Sequence, residues 1–245
     1  MTPSRNATSA RLWVMPVLVT LGIVAALIAA FFWGRSTVSP QADPGNQPPQ
    51  QQGTEQAQAV PDEVVDQVIS RDSDDPLAIG AVDAPVVMVM FSDYQCPFCS
   101  RWTHDTLPEM QQFVDDGELR VEFRDINMYG EDSRRAATAS VAAGMQDQFE
   151  EYHDLLFPDG ETLEDFSTEA LVELAADNGL DTEQFEEDME SEQTADIVAE
   201  NEELGQSIGA TSTPTFLMNN TPIVGAQPSE VFIESFEEEL AAAEE

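Results

Sequence analysis

Cys96 and Cys99 are the only thiols in the 245-residue chain, and they stand three positions apart in Cys96-Pro97-Phe98-Cys99. A thiol pair at that spacing suits dithiol–disulfide exchange, metal ligation or a permanent staple. The preceding residues, Val86 to Phe91, form an unbroken apolar run, the pattern of a strand buried on both faces, and a helix is expected to start at Cys96. A thiol at a helix N-terminus meets unpaired backbone N–H groups and the positive end of the macrodipole, so its thiolate is favoured. Pro97 suits the first helical position, where a missing N–H is harmless. Helical spacing places Cys99 on the face of Cys96, so the two sulfurs can close a disulfide and reopen it, with Cys96 as thiolate and Cys99 as resolving thiol. Zinc would need four ligands, and the only further candidates are His104 and His153, neither at ligand spacing, so no metal is expected. A staple closing so short a loop adds little stability.

The elements that must position this pair follow from pattern. Pro108 should kink or break the helix begun at Cys96. Leu119 to Ile126 alternates and reads as a second strand, making a strand–helix–strand unit with a parallel pair. From Ser133 to Phe157 apolar or small residues recur at helical spacing through Ala137, Val141, Met145, Phe149, Tyr152 and Leu156. Ser167, Asp181 and Ser191 are placed to cap three further helices, Asp181 with Gln184 as a capping box, and Gly179 and Gly209 to end two of them. Thr215–Met218, a turn at Asn219-Asn220 and Pro222–Val224 predict a hairpin, followed by a helix with a Phe232, Phe236, Leu240 stripe. The fold class is α/β: one mixed sheet with a helical insertion over about 131–209. Trp102 reads as core, His104 as a surface or helix-terminal residue, and Arg124 and Asp125 as an ion pair or loop contact without a catalytic role.

Several segments together resemble the DsbA-like branch of the thioredoxin superfamily. Phe91-Ser92-Asp93-Tyr94-Gln95-Cys96-Pro97-Phe98-Cys99 resembles its active-site segment, and Thr213-Pro214-Thr215-Phe216 its cis-proline loop. Tyr152-His153-Asp154-Leu155-Leu156-Phe157 and Val224-Gly225-Ala226-Gln227-Pro228 are similar to membrane-anchored bacterial members. The likeness runs from Asp75 to Leu240 in the expected order. It implies a thioredoxin fold and thiol–disulfide oxidoreductase activity on exported proteins, with no cofactor beyond a Cys96–Cys99 disulfide. It also implies a solvent-facing sulfur at Cys96, a buried resolving one at Cys99, and Pro97 and Phe98 as the pair that tunes the thiolate. Pro214 would be cis, with Thr213 backbone groups free to pair with a substrate strand beside Cys96. A membrane redox partner of DsbB-like or vitamin K epoxide reductase-like type would complete the cycle. Two positions depart from the pattern. Phe98 stands where the strongest oxidants, whose first Cys has a pKa of ~3.5, carry His. With Asp93 close and Arg101 the only nearby cation, a less depressed pKa and a milder poise are expected. Met90 stands where many members carry a buried acid. A reductase or isomerase on the same fold, and a non-catalytic binding or chaperone module, remain alternatives.

Charge and hydropathy place the domain. Nine Arg and no Lys face 48 acidic residues, a net charge of −39, which excludes a basic nucleic-acid surface and suits a strongly solvated protein working in high salt. Leu12 to Trp33 is a 22-residue run without a charge, long enough to span a bilayer. Arg5 and Arg11 precede it, so residues 1–11 are expected in the cytoplasm and everything beyond the 12–33 anchor outside. Residues 34–75 read as a Pro- and Gln-rich linker, carrying a short helix near Asp62–Ile69, and 76–245 as the folded domain.

Overall fold

Seven consecutive buried residues, Val86–Ser92 (β2), fix that segment as an interior strand. In the computed structural model, which describes residues 60–243, β2 pairs in parallel with Leu119–Asp125 (β3), from Val86↔Leu119 to Ser92↔Asp125. On its other side it pairs antiparallel with Thr215–Met218 (β4). A short strand at Ala78–Ile79 (β1) borders β3, and Thr221–Val224 (β5) closes the hairpin with β4, for the order β1-β3-β2-β4-β5. The proposed anchor at 12–33 and most of the linker lie outside the described residues. Among those described, no helix is long and apolar enough to cross a membrane.

Strand alternation sends the two faces of β2 into different cores. Val86, Met88 and Met90 join the larger cluster, with Trp102, Met110, Phe232 and Phe236. Val87, Val89 and Phe91 face a smaller one with Val68 and Leu217, packed by Leu204 and Ile208. The larger cluster is covered by Pro97–Asp105 (α2), Leu107–Asp115 (α3) and Ser229–Ala243 (α9). Asp62–Val68 (α1) and Glu192–Ser207 (α8) cover the smaller. Trp102 is core, 4.7 Å from the Phe216 ring and 5.6 Å from that of Phe232. Between β3 and β4 the chain makes Glu131–Gly144 (α4), Phe149–Leu155 (α5), a 3-10 turn, Thr168–Asp177 (α6), Thr182–Met189 (α7) and α8, matching the expected insertion.

Three expectations change. The helix read through Ser133–Phe157 is broken after Gly144, where Asp147 takes a φ of 59°. Periodicity survives such a break because both pieces present the same stripe to one core. Strand β3 forms as expected, and its polar positions are buried as well: Arg120 and Arg124 both pair with Glu122, as described below. At Asp181 only half a capping box forms, its carboxylate accepting from the Glu183 and Gln184 N–H groups while the Gln184 side chain bonds Asp188. Finally, packed chain begins before Pro76: Val60 N–H bonds the Asn220 carbonyl, and α1 buries Val68 against the sheet. The remaining caps hold, with Ser167 and Ser191 accepting from Ala170 and Thr194 N–H.

Glu122, fully buried, explains the early start. Its carboxylate accepts from Ser70 N–H (3.0 Å), Arg71 N–H (2.8 Å), Arg120 Nε (2.9 Å) and Arg124 (3.0 Å). Those donors hold its pKa below the usual range despite burial. Gly205 lets α8 approach the sheet, because a Cβ there would collide with Ile126.

Candidate active site

β2 ends in Ser92-Asp93-Tyr94-Gln95, a turn that delivers Cys96 to the N-cap of α2. Pro97 occupies the first turn, and the Cys96 carbonyl accepts the Ser100 N–H at 3.1 Å, so the first intrahelical bond forms immediately after the thiol. Asp93 stiffens the turn. Its carboxylate accepts from Gln95 N–H (2.8 Å), Ser133 Oγ (2.7 Å) and Tyr129 N–H (3.1 Å), tying the loop before α4 to the thiol turn. Its own carbonyl accepts the Cys96 N–H at 3.0 Å.

The two cysteines are electrostatically unequal. Cys96 is lowered to about 5, first by the Cys99 thiol donating to its thiolate, then by the Thr213 hydroxyl and the Phe98 and Cys99 backbone groups, against the penalty of burial. Cys99, wholly buried, is pushed well above the ordinary thiol range by desolvation and by the neighbouring Cys96. Such a pair suits one thiolate that attacks or leaves readily and one thiol that stays protonated until called on. Relative to the ~3.5 of the strongest oxidants, Cys96 is less depressed, as the Phe98 position leads one to expect. Arg101 stacks on Phe98, its guanidinium 5.1 Å from the ring centroid.

Thr213-Pro214 is cis and lies beside the thiols: Cys96 Sγ donates to the Thr213 carbonyl at 3.3 Å. The sequence pattern therefore brings Cys96, Cys99, Pro97, Phe98, Thr213 and Pro214 together. One expectation is corrected. Cys96 does not face solvent: only 1 % of its surface is open. It lies against the Thr213 carbonyl and beside Tyr129, which is 57 % exposed and whose hydroxyl is raised chiefly by the Cys96 charge. Phe98 and Tyr129, the two aromatic residues beside Cys96, are both exposed.

The two histidines are not brought to the cysteines as a ligand set. His104 is exposed beside Asp105. His153 is buried among Phe123, Phe149 and Phe157, bonds the Tyr94 hydroxyl through Nδ1 at 3.0 Å, and faces Thr103 Oγ1 at 3.4 Å. Burial lowers it to about 3, so it stays neutral and clamps the thiol turn and α2 to the helical insertion.

One neighbour of the site was invisible in sequence. Tyr129 sits in a loop without periodicity, and only the tertiary fold brings it to Cys96. Asp125 at the end of β3 was read with Arg124 as an ion pair or loop contact, and no ion pair forms between them: Arg124 turns to Asp75 (2.7 Å) and Glu122 (3.0 Å). Asp125 is left 1 % exposed with both carboxylate oxygens unpartnered among the described residues. Burial first, and the Asp93 charge second, raise it to about 7. An acid closing a strand beside a thiol turn is a weak signal that spacing alone could have raised.

A family model described as thioredoxin matches residues 72–237. The chain is 32% identical over 170 residues to disulfide bond formation protein D of Bacillus subtilis, covering 66% of this chain and 76% of the relative. The oxidised structure of BdbD from Bacillus subtilis superposes with a TM-score of 0.61 at 31% identity, over 67% of this chain and 92% of that one. The structure of alpha-DsbA1 from Wolbachia pipientis, 18% identical, shares the fold with a TM-score of 0.61 over 68% of this chain and 92% of its own.

Proposed function

Because the chain belongs to the thioredoxin family, among its DsbA-like thiol–disulfide oxidoreductases, we propose that it forms disulfides in exported proteins by exchange at Cys96 and Cys99. The observation that carries this reading is the split between the two thiols: Cys96 lowered to about 5, Cys99 raised and buried. A low pKa makes Cys96 a good leaving group, which favours releasing an oxidised client over holding it.

In the forward direction a client thiolate attacks Cys96 Sγ of the Cys96–Cys99 disulfide. The S–S bond breaks, Cys99 takes the electron pair, and a client–Cys96 mixed disulfide forms. A second client thiolate then attacks the client sulfur, the client disulfide closes, and Cys96 leaves as thiolate. The Thr213 carbonyl, 3.3 Å from Cys96 Sγ, would accept a backbone N–H of the client. Pro97 and Phe98 shape the helix start around the thiolate. The names of the bacterial relatives support formation over reduction as the direction.

The uncharged Leu12–Trp33 run, with Arg5 and Arg11 before it, supports a single-pass anchor with the N-terminus in the cytoplasm and the catalytic domain outside. A DsbB-like or vitamin K epoxide reductase-like membrane protein would then reoxidise the pair, and exported thiol proteins would be its substrates. The strongly acidic composition favours clients that are not themselves acidic.

Trapping tests the reading. Cys99→Ser should accumulate mixed disulfides between Cys96 and exported proteins, and none should form when Cys96 is also replaced. A wild-type protein that exchanges with no thiol client refutes it. A reduction potential near or below about −270 mV would instead mark a reductase on the same fold.

A further inference from the structure

Asn201 interrupts the apolar stripe of α8, between Ile197 and Leu204. It is only 7 % exposed, yet its side-chain amide makes no hydrogen bond among the described residues. An Asn amide carries two N–H donors and a carbonyl acceptor, and leaving them unpaired in an interior is costly. Its surroundings supply a reason. Asn201 lines a groove of about 800 Å³ between α8 and the chain running from α1 to Pro76.

The deeper lining of that groove is apolar, with Val68 buried and Ile197 and Leu204 half-buried. Its exposed lining is carboxylate, Asp74 from one side and Glu192, Asp196 and Glu200 from α8. None of these four acids meets a basic side chain among the described residues. The one cation in the lining, Arg124, is held by Asp75 and Glu122. Glu192, Asp196 and Glu200 follow one another at four-residue spacing, a row of like charges that destabilises a helix where no cation answers it.

We propose that this groove docks a cationic segment of the client, a substrate preference that rests on the exchange reaction proposed above. Arg or Lys heads of the segment pair with Asp74, Asp196 and Glu200, their aliphatic stems lie on Ile197 and Leu204, and the Asn201 amide pairs with the segment's backbone. Charge decides against the other occupants. Residues 34–59 of this chain carry one Arg against two acids, and a second copy brings its own net charge of −39, so neither supplies the cations.

One end of the groove adjoins the redox site. Just past Asn201, Glu202 accepts from Asn127 Nδ2 at 2.9 Å, and Gly205, next to Leu204, packs against Ile126. Tyr129, in the same loop, donates its N–H to Asp93 at 3.1 Å, in the turn that delivers Cys96. A segment seated along α8 therefore ends against the loop that borders the thiol turn.

The test uses the full chain in detergent and a fluorescent, cysteine-free peptide of alternating Arg and Leu. Anisotropy is read in about 1 M salt, where screening to about 3 Å removes general attraction to the protein's net charge. The peptide should bind and its Glu-for-Arg counterpart should not. Asn201→Leu, and Asp196→Asn combined with Glu200→Gln, should each weaken binding by at least about threefold. Both variants should keep the wild-type rate of disulfide reduction by dithiothreitol, which a misfolded protein would not. A dithiol peptide extended by the Arg-Leu segment should be oxidised with a kcat/KM at least about threefold above the unextended dithiol, through KM.

The proposal is overturned by absence of binding, by equal binding of the acidic counterpart, by binding that both variants leave untouched, or by no gain in kcat/KM. It is equally overturned if the protein dimerises through this face, or takes the peptide only after residues 34–59 are removed. Should the variants not fold, hydrogen exchange of the wild type decides: the peptide should protect amides in 67–76 and 192–204, and unchanged exchange there rejects the groove. A protein that binds the peptide in the groove but oxidises no dithiol refutes the exchange reading instead, so the two failures are distinct.

Discussion

The Cys96 thiol donates to the Thr213 carbonyl at 3.3 Å, joining the start of α2 to the loop before β4 across 117 residues of chain. A thiolate has no proton to give, so ionisation of Cys96 vacates that carbonyl. Disulfide formation removes the same proton, so the carbonyl is also free as an acceptor in the oxidised form that a client meets.

Ionisation of Cys96 should be seen as a rise in thiolate ultraviolet absorbance and alkylation rate with a midpoint near pH 5. Cys99→Ala removes the largest stabiliser of the thiolate, and Thr213→Val a smaller one, so both should move the midpoint upward, Cys99→Ala further. The folded value lies below the unfolded one of about 9, so this contribution to stability is complete above that pH and is lost as pH falls through 5. The reduced protein should accordingly lose stability relative to the oxidised form on acidification across that window, measured by paired urea titrations.

Tyr129 should act as a cover. Tyr129→Ala opens the space beside Cys96 and should raise its alkylation rate several-fold at a pH where the thiol is fully ionised. Tyr129→Phe keeps the ring and should leave that rate near wild type. Equal rates for all three proteins would show that another group guards the sulfur.

Glu122 should be the most stability-sensitive charge in the described fold. Glu122→Ala strands Arg120 and the N–H groups of Ser70 and Arg71 in the interior, although Arg124 keeps Asp75. A loss of about 3–5 kcal/mol is expected in urea unfolding, together with release of α1 from the sheet. A loss below about 1 kcal/mol would mean that water reaches these groups.

Two buried groups should give stability opposite pH slopes. His153 is lowered from 6.5 to about 3, so its contribution is present above 6.5 and is lost as pH falls through 3. His153→Phe should flatten that acid slope in thermal unfolding. Asp125 is raised from 3.8 to about 7, so its contribution is present below 3.8 and is lost as pH rises through 7. Asp125→Asn should therefore gain roughly 2–4 kcal/mol over wild type at pH 8, at about 1.36 kcal/mol per pKa unit, and little at pH 3.

Local pattern carried the redox pair and most of the elements. An apolar run, a proline at the first helical turn and thiols three apart encode strand, turn and helix start within a few residues of each other. Caps at Ser167 and Ser191 and the hairpin at Asn219 are likewise contacts between near neighbours in sequence. Strand β3 resisted such reading because alternation reports chemistry, and whether Arg120, Glu122 and Arg124 meet water depends on chain arriving from Ser70 and Asp75.

What the sequence by itself determined was the identity and spacing of the reacting atoms, since both are covalent facts, and the class of fold that periodicity allows. Only the tertiary structure decided that Cys96 lies covered, that Tyr129 stands beside it, that His153 clamps the turn and that Asp125 is left without a partner. Each of those depends on burial, and burial is set by segments many residues away, whose approach no local spacing records.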